Sequence, residues 1–282
     1  MAIVQKDGFN SLDGLNSEYI VFDSNRLKEY VDYINAQGIS AIAINDSYYL
    51  DDNIDFLRNC PNVKKVNING TFIENYEGLN YLNHLHVLFF GDPKTKVDVS
   101  KFHELQELYV DMNKNVVGIK KCINLRVLKM WKYKPKTNDL TELSDLSKIE
   151  QLAMTQSTII SLTGISAFPK LLKLDLNFCS KLESIKQISE GSQKIKELAI
   201  ESCKNIKDFS EINTLKELEK LLFTDSGEIP SIRFIEELPQ LKSFVFMGTT
   251  VEDGNLNPCI GLEYVAFTQK KHYTHKMKDF NL

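Results

Sequence analysis

The stretch Leu171-Leu172-Lys173-Leu174-Asp175-Leu176-Asn177-Phe178-Cys179 decides how the rest of this chain reads. Its spacing is apolar-x-x-apolar-x-apolar, and Ile195-Lys196-Glu197-Leu198-Ala199-Ile200-Glu201-Ser202-Cys203 repeats it 24 residues later. Working outward, the same triplet stands at Ile39/Ile42/Ile44, Val63/Val66/Ile68, Leu85/Leu88/Phe90, Leu105/Leu108/Val110, Leu125/Leu128/Met130 and Ile149/Leu152/Met154. Toward the C-terminus it recurs at Leu218/Leu221/Phe223, Leu241/Phe244/Phe246 and Leu262/Val265/Phe267. Successive starts lie 20 to 24 residues apart, a period that belongs to stacked repeat units.

A second column runs in step with the first. Three residues past the last apolar position stand Thr71, Asn113, Ser157, Cys179, Cys203, Ser226 and Thr249, with Pro93 and Tyr133 interrupting. A small polar side chain there is able to bond backbone groups left unpaired as the chain turns off a strand. Together the columns resemble the leucine-rich repeat family, whose unit is L-x-x-L-x-L-x-x-N/C-x-L, over residues 39–268. Ser161-Leu162-Thr163-Gly164-Ile165 and the residues up to Leu171 are similar to the 22-residue subtype of bacterial internalins.

That resemblance implies an α/β fold: a right-handed leucine-rich-repeat solenoid with a parallel concave sheet, about eleven repeats and capped ends. Some 15 residues of each unit remain for a return by a short helix or 3₁₀ turn. Residues 1–38 read as an N-terminal strand-helix cap, 39–268 as the repeats and 269–282 as a basic tail or cap, one structural domain in all. In the first cap, Tyr19 to Phe22 reads as a strand. Asn25 to Gln37 then sets Leu27, Tyr30, Val31 and Ile34 on one helical face, with Ser24 as N-cap and Gly38 as the stop. In the tail, Tyr273, Met277 and Phe280 at helical spacing suggest a closing helix.

Composition agrees with a globular protein of 282 residues, 43% of them hydrophobic. Thirty-four Lys and Arg against 38 Asp and Glu leave a net charge of -4, which argues against a nucleic-acid partner. No apolar run is long enough to span a bilayer, so no membrane partner is expected. The N-terminus has neither a basic start nor a signal-length apolar run, and five Cys without a C-x-x-C pair suit a reducing compartment. A cytoplasmic location is expected; a secreted or surface location stays open if an export signal has been removed. Cys60, Cys122 and Cys259 share a column with Leu82, Phe102 and Phe168, and Cys179 and Cys203 lie in the polar column, so all five read as structural.

Alternation along each strand turns the residues between the apolar positions outward. Phe89, Tyr109 and Trp131 then come from three successive rows, gathered within ~10 Å by strands ~4.8 Å apart and flanked by Asp111 and Lys129. Two readings stay open: an exposed binding hot spot, or Trp131 and Tyr133 covering the loop from Lys132 to Asn138. Asp175, Glu197 and Glu201 form an acidic group that would meet a basic patch, take a divalent cation, or simply be solvated. The outward rows mix acids and bases, which suits a protein partner.

Searches for phosphate-binding, zinc-protease and nucleophile-elbow motifs find nothing. His84, His86 and His103 straddle adjacent strand entries, but no carboxylate or thiol completes a ligand set. No catalytic residue, cofactor or metal is therefore expected. The expected function is a non-enzymatic, monomeric scaffold that binds a protein on the concave face, specifically a toxin-neutralising immunity or inhibitor protein. An internalin-like adhesin is the alternative, and an enzyme or metal-binding protein is the reading with least support.

Overall fold

Each apolar triplet ends in a short strand, because alternation lets one side of the backbone bury its leucines while the other faces out. The computed structural model describes residues 3–14 and 17–280, in two compact units divided after Arg126.

The first unit opens with β1 (Ile3–Lys6), β2 (Phe9–Gly14) and β3 (Ser17–Val21), then helix α1 (Leu27–Gln37). Strands β4 (Ala41–Asn45), β5 (Lys65–Asn69), β6 (Val87–Phe90), β7 (Val97–Asp98), β8 (Glu107–Asp111) and β9 (Val116–Val117) follow. Its main sheet runs β1-β2-β3-β4-β5-β6-β8, antiparallel up to β3 and parallel from there, while β7 and β9 pair separately.

The second unit comprises β10 (Val127–Trp131), β11 (Gln151–Thr155), β12 (Lys173–Asn177), β13 (Glu197–Glu201), β14 (Lys220–Thr224), β15 (Glu228–Ile229), β16 (Ser243–Phe246), β17 (Thr250–Val251) and β18 (Tyr264–Phe267). Its sheet runs β10-β11-β12-β13-β14-β16-β18, wholly parallel and in chain order, with β15 and β17 paired apart. Return segments carry 3₁₀ turns, such as Ile165–Ala167 and Arg233–Glu237, as the short linkers require.

The core is the repeat itself. Leu171, Leu174, Leu176, Ile195, Leu198 and Ile200 are fully buried, each contributing roughly 1.5–3 kcal/mol of transfer free energy. All five cysteines are free and buried, and burial pushes the Cys60, Cys122 and Cys259 thiols up to about 12, far from nucleophilic. Ser192 stands in the column of Cys122 and Phe168, its hydroxyl donating to Pro169 O.

The polar column does what its chemistry suggests. Ser157 Oγ donates to Tyr133 O at 2.9 Å, Ser226 Oγ to Ile200 O at 3.0 Å, and Thr249 Oγ1 to Phe223 O at 3.1 Å. Cys203 Sγ reaches Leu176 O at 3.4 Å. Thr71 departs from the column: exposed, it bonds Asp46 instead.

A further column was invisible in the sequence. The residues leaving successive strands, Lys132, Gln156, Phe178, Ser202, Asp225 and Gly248, all have positive φ, between 47° and 65°. The first four donate N–H to the last strand residue of the next turn, as Gln156 N does to Asn177 O at 2.9 Å, and Asp225 N reaches Met247 O, one residue past its strand. This sharp left-handed exit keeps neighbouring strands in step at a local conformational cost.

Both ends differ from expectation. Asp23, not Ser24, caps the first turn, accepting from Asn25 N at 2.9 Å; Ser24 Oγ accepts from Leu50 N. Asp23 has the extended backbone an N-cap requires, whereas Ser24 already lies within a 3₁₀ turn. Gly38 stops the helix in the left-handed region, φ 63°. In the tail, a single 3₁₀ turn, Met277–Asp279, replaces the closing helix. Tyr273 alone is buried, its hydroxyl accepting from Val251 N at 3.0 Å, while Met277 stays exposed.

Candidate recognition face

On the outward side of the first unit, pairing aligns Ala43, Asn67, Phe89 and Tyr109 in one row across β4, β5, β6 and β8. The Phe89 and Tyr109 rings lie 6.0 Å apart at 35°, both half-buried. Tyr109 donates its hydroxyl to Glu107 Oε2 at 2.9 Å, and burial beside that carboxylate raises the phenol well above its usual value. Burial raises the Tyr19 phenol on β3 of the same outward face, with Glu107 adding to it. Tyr19, Val21, Ala41 and Ala43 are already buried there, packed by Ile3, Leu12 and Tyr48. Asn67 Oδ1 is buried without a hydrogen-bond partner among the described residues. Asp111 ends β8 and lines a cleft of about 300 Å³ with Thr71, Asp92 and Lys94.

In the second unit, Trp131 and Lys129 lie on β10, half-buried, opposite Thr155 and Ala153. Lys129, Ala153, Asp175 and Ala199 share one row. Burial raises the Asp175 carboxyl, an effect that Lys173 and Lys129 only partly offset.

The expected acidic group is not one in charge. Lys173, Glu197 and Lys220 lie opposite one another on β12, β13 and β14. Each lysine meets one oxygen of Glu197 at 2.9 Å, and these hydrogen bonds hold its carboxyl below the usual range. Asp175 is 3.9 Å from Lys173. Glu201 ends β13, half-buried, with its carbonyl accepting from Phe178 N. A second ladder runs beside the first: Glu219 bonds Lys196 and Lys242, each at 2.9 Å.

The sequence reading missed two features. Glu104 supplies the carboxylate between His84 and His86, accepting from His84 Nδ1 at 2.9 Å and His86 Nε2 at 3.0 Å, with His103 outside the group. The two rings bind different oxygens, and among the described residues no group of three or more His, Cys, Asp or Glu is arranged to hold a metal. The second feature is an apolar row of Ala199, Leu222, Val245 and Ala266, bordered by exposed Met247 and Tyr264. Its signal was present in the strand alternation, but small and aliphatic residues drew less notice than three aromatics.

No family model matches the sequence, and no curated protein matches it. Solved structures do. An internalin, InlF, from Listeria monocytogenes matches over 85% of this chain and 71% of its own, with TM-score 0.61 and 14% identity. The fold is that of an internalin-like leucine-rich-repeat protein. The functional domain of InlJ from the same species matches over 81% of this chain and 61% of its own, with TM-score 0.50 and 12% identity. No helix among the described residues is long and apolar enough to cross a membrane.

Proposed function

We propose that this leucine-rich-repeat protein is a non-enzymatic scaffold that binds a protein partner on the concave, outward face of its parallel strands. One observation carries the reading. On strand after strand, core residues are buried while the intervening side chains stand half-exposed in aligned rows, with Phe89 and Tyr109 in ring contact. A face ordered before binding loses little conformational entropy on contact. The residues assigned to recognition are Phe89, Tyr109 and Asp111 in the first unit and Lys129, Trp131, Asp175, Glu197 and Glu201 in the second. The specific role we favour is an intracellular inhibitor or immunity protein, a choice supported by five free thiols in a chain suited to a reducing compartment.

Affinity capture from the native host, followed by titration of the recovered partner, tests this. Tyr109→Ala and Trp131→Ala should each weaken binding by ~2 kcal/mol, about 30-fold, with unchanged circular dichroism. Wild-type affinity in both variants would remove the assigned face. A partner recovered only from the cell surface would replace the inhibitor role with adhesion.

A further inference from the structure

The C-terminal segment beyond β18 has a charge balance unlike the rest of the chain. It carries Lys270, Lys271, Lys276 and Lys278 against Asp279, within a protein whose net charge is -4. These four lysines line a pocket of about 550 Å³ together with His275 and one carboxylate, Asp279, whose Oδ2 accepts from Lys276 N at 2.8 Å. Lysines on the sheet are met by acids: Lys173, Lys196, Lys220 and Lys242 each lie 2.9 Å from a glutamate. The four pocket lysines share one carboxylate, Asp279, which is engaged by the Lys276 backbone N–H.

The fifth basic residue is held in place. Thr274 Oγ1 accepts from Leu256 N at 3.0 Å and lies in hydrogen-bond contact with His275 Nδ1 at 2.8 Å. That contact occupies Nδ1 and orients the ring, leaving Nε2 as the nitrogen available to a ligand. Phe280 packs on the ring with centroids 5.3 Å apart. The segment is anchored through Tyr273 to Val251 and through Thr274 N to Gly254 O. Four ammonium groups and an oriented imidazole around one concavity, against a single carboxylate, suit a ligand rich in negative oxygens.

We propose that this pocket binds a compact multivalent oxyanion of the phosphate type, with Lys270, Lys271, Lys276 and Lys278 supplying charge and His275 a directional hydrogen bond. The site lies wholly on the segment after the last strand.

Calorimetric titration of the full chain with sodium pyrophosphate at low ionic strength, with sodium acetate at matched ionic strength as the control, tests it. Saturable one-site binding of pyrophosphate alone is expected. The Lys270→Ala/Lys278→Ala double variant should weaken it at least about 10-fold, and His275→Ala about 3-fold with His275→Gln restoring part of the loss. Far-ultraviolet circular dichroism and the thermal midpoint confirm folding of each variant. Absence of saturation, an equal response to acetate, or an unchanged constant in the folded double variant would overturn the proposal. So would a phosphoserine peptide or single-stranded oligonucleotide binding more than about 100-fold tighter than pyrophosphate, since the pocket would then belong to a macromolecule.

Discussion

Replacing Thr249 with Val removes one oxygen without changing shape, and the geometry sets its cost. Thr249 is fully buried. Its hydroxyl accepts from Ser226 N at 3.0 Å and donates to Phe223 O at 3.1 Å. Valine would leave the Ser226 N–H buried with no acceptor, a loss of about 2 kcal/mol, and would delete the Phe223 bond for about 1 more. Ser226→Ala, one turn earlier in the same column, is the matched control. The Ser226 hydroxyl only donates, to Ile200 O and Thr224 O, and Thr224 O still receives Ser202 N at 2.8 Å. No donor is orphaned, so that change should cost about 1 kcal/mol. Urea unfolding followed by circular dichroism would read the ~2 kcal/mol difference as a midpoint roughly 1 M lower for Thr249→Val, at unchanged slope. If the two variants unfold within about 0.5 kcal/mol of each other, the polar column does not hold the turns by satisfying buried donors.

Gly164 has φ 92°, and an added Cβ would sit 2.8 Å from Thr141 N; Gly164→Ala should cost about 1–3 kcal/mol, and an unchanged thermal midpoint would contradict this. The Tyr133 hydroxyl is buried without a partner among the described residues, so Tyr133→Phe should stabilise the fold by about 1 kcal/mol in the same urea assay. Lys242 and Lys196 hold the Glu219 carboxyl at about 2, down from 4.5. A depressed folded value means stability that is present above pH 4.5 and lost as pH falls toward 2. Wild type should therefore lose thermal stability in that window relative to Glu219→Gln, less so in high salt, and superimposable pH profiles would refute the assignment.

The two columns that sequence made legible are those in which chemistry constrains residue type. A buried triplet must be apolar, and the turn after it needs a small hydrogen-bonding group, so Leu174 and Ser226 announce themselves. The left-handed exit column leaves no such mark, because Lys132, Gln156, Phe178, Ser202 and Asp225 share a backbone angle and nothing else. Strand pairing explains the misread acids. Asp175, Glu197 and Glu201 stand on adjacent strands, but residues 23 and 24 apart are the true neighbours, and those put a lysine on each side of Glu197. The same register, applied to bases as well as acids, would have found both ladders. Asp23 escaped for a different reason: the 3₁₀ turn ahead of α1 moved the cap one residue earlier than helical periodicity implied.

The pairing of charges bears on where binding free energy would arise. Glu197 already has two lysines on its two oxygens, so a partner's cation placed there would have to displace a bond before making one. Exposed pairs of this kind contribute only about 0–1 kcal/mol each and give orientation more than affinity. The surfaces with something left to gain are apolar: the Phe89 and Tyr109 rings in one unit, and Leu222, Val245, Met247 and Tyr264 in the other. Leu222→Asp, on the outward row, tests this division, since it should weaken a partner that engages the second unit while Lys220→Ala beside it should change affinity by less than about 1 kcal/mol. The reverse order, with Lys220 dominant and Leu222 silent, would mean that the ladders are read directly and that the apolar row is incidental.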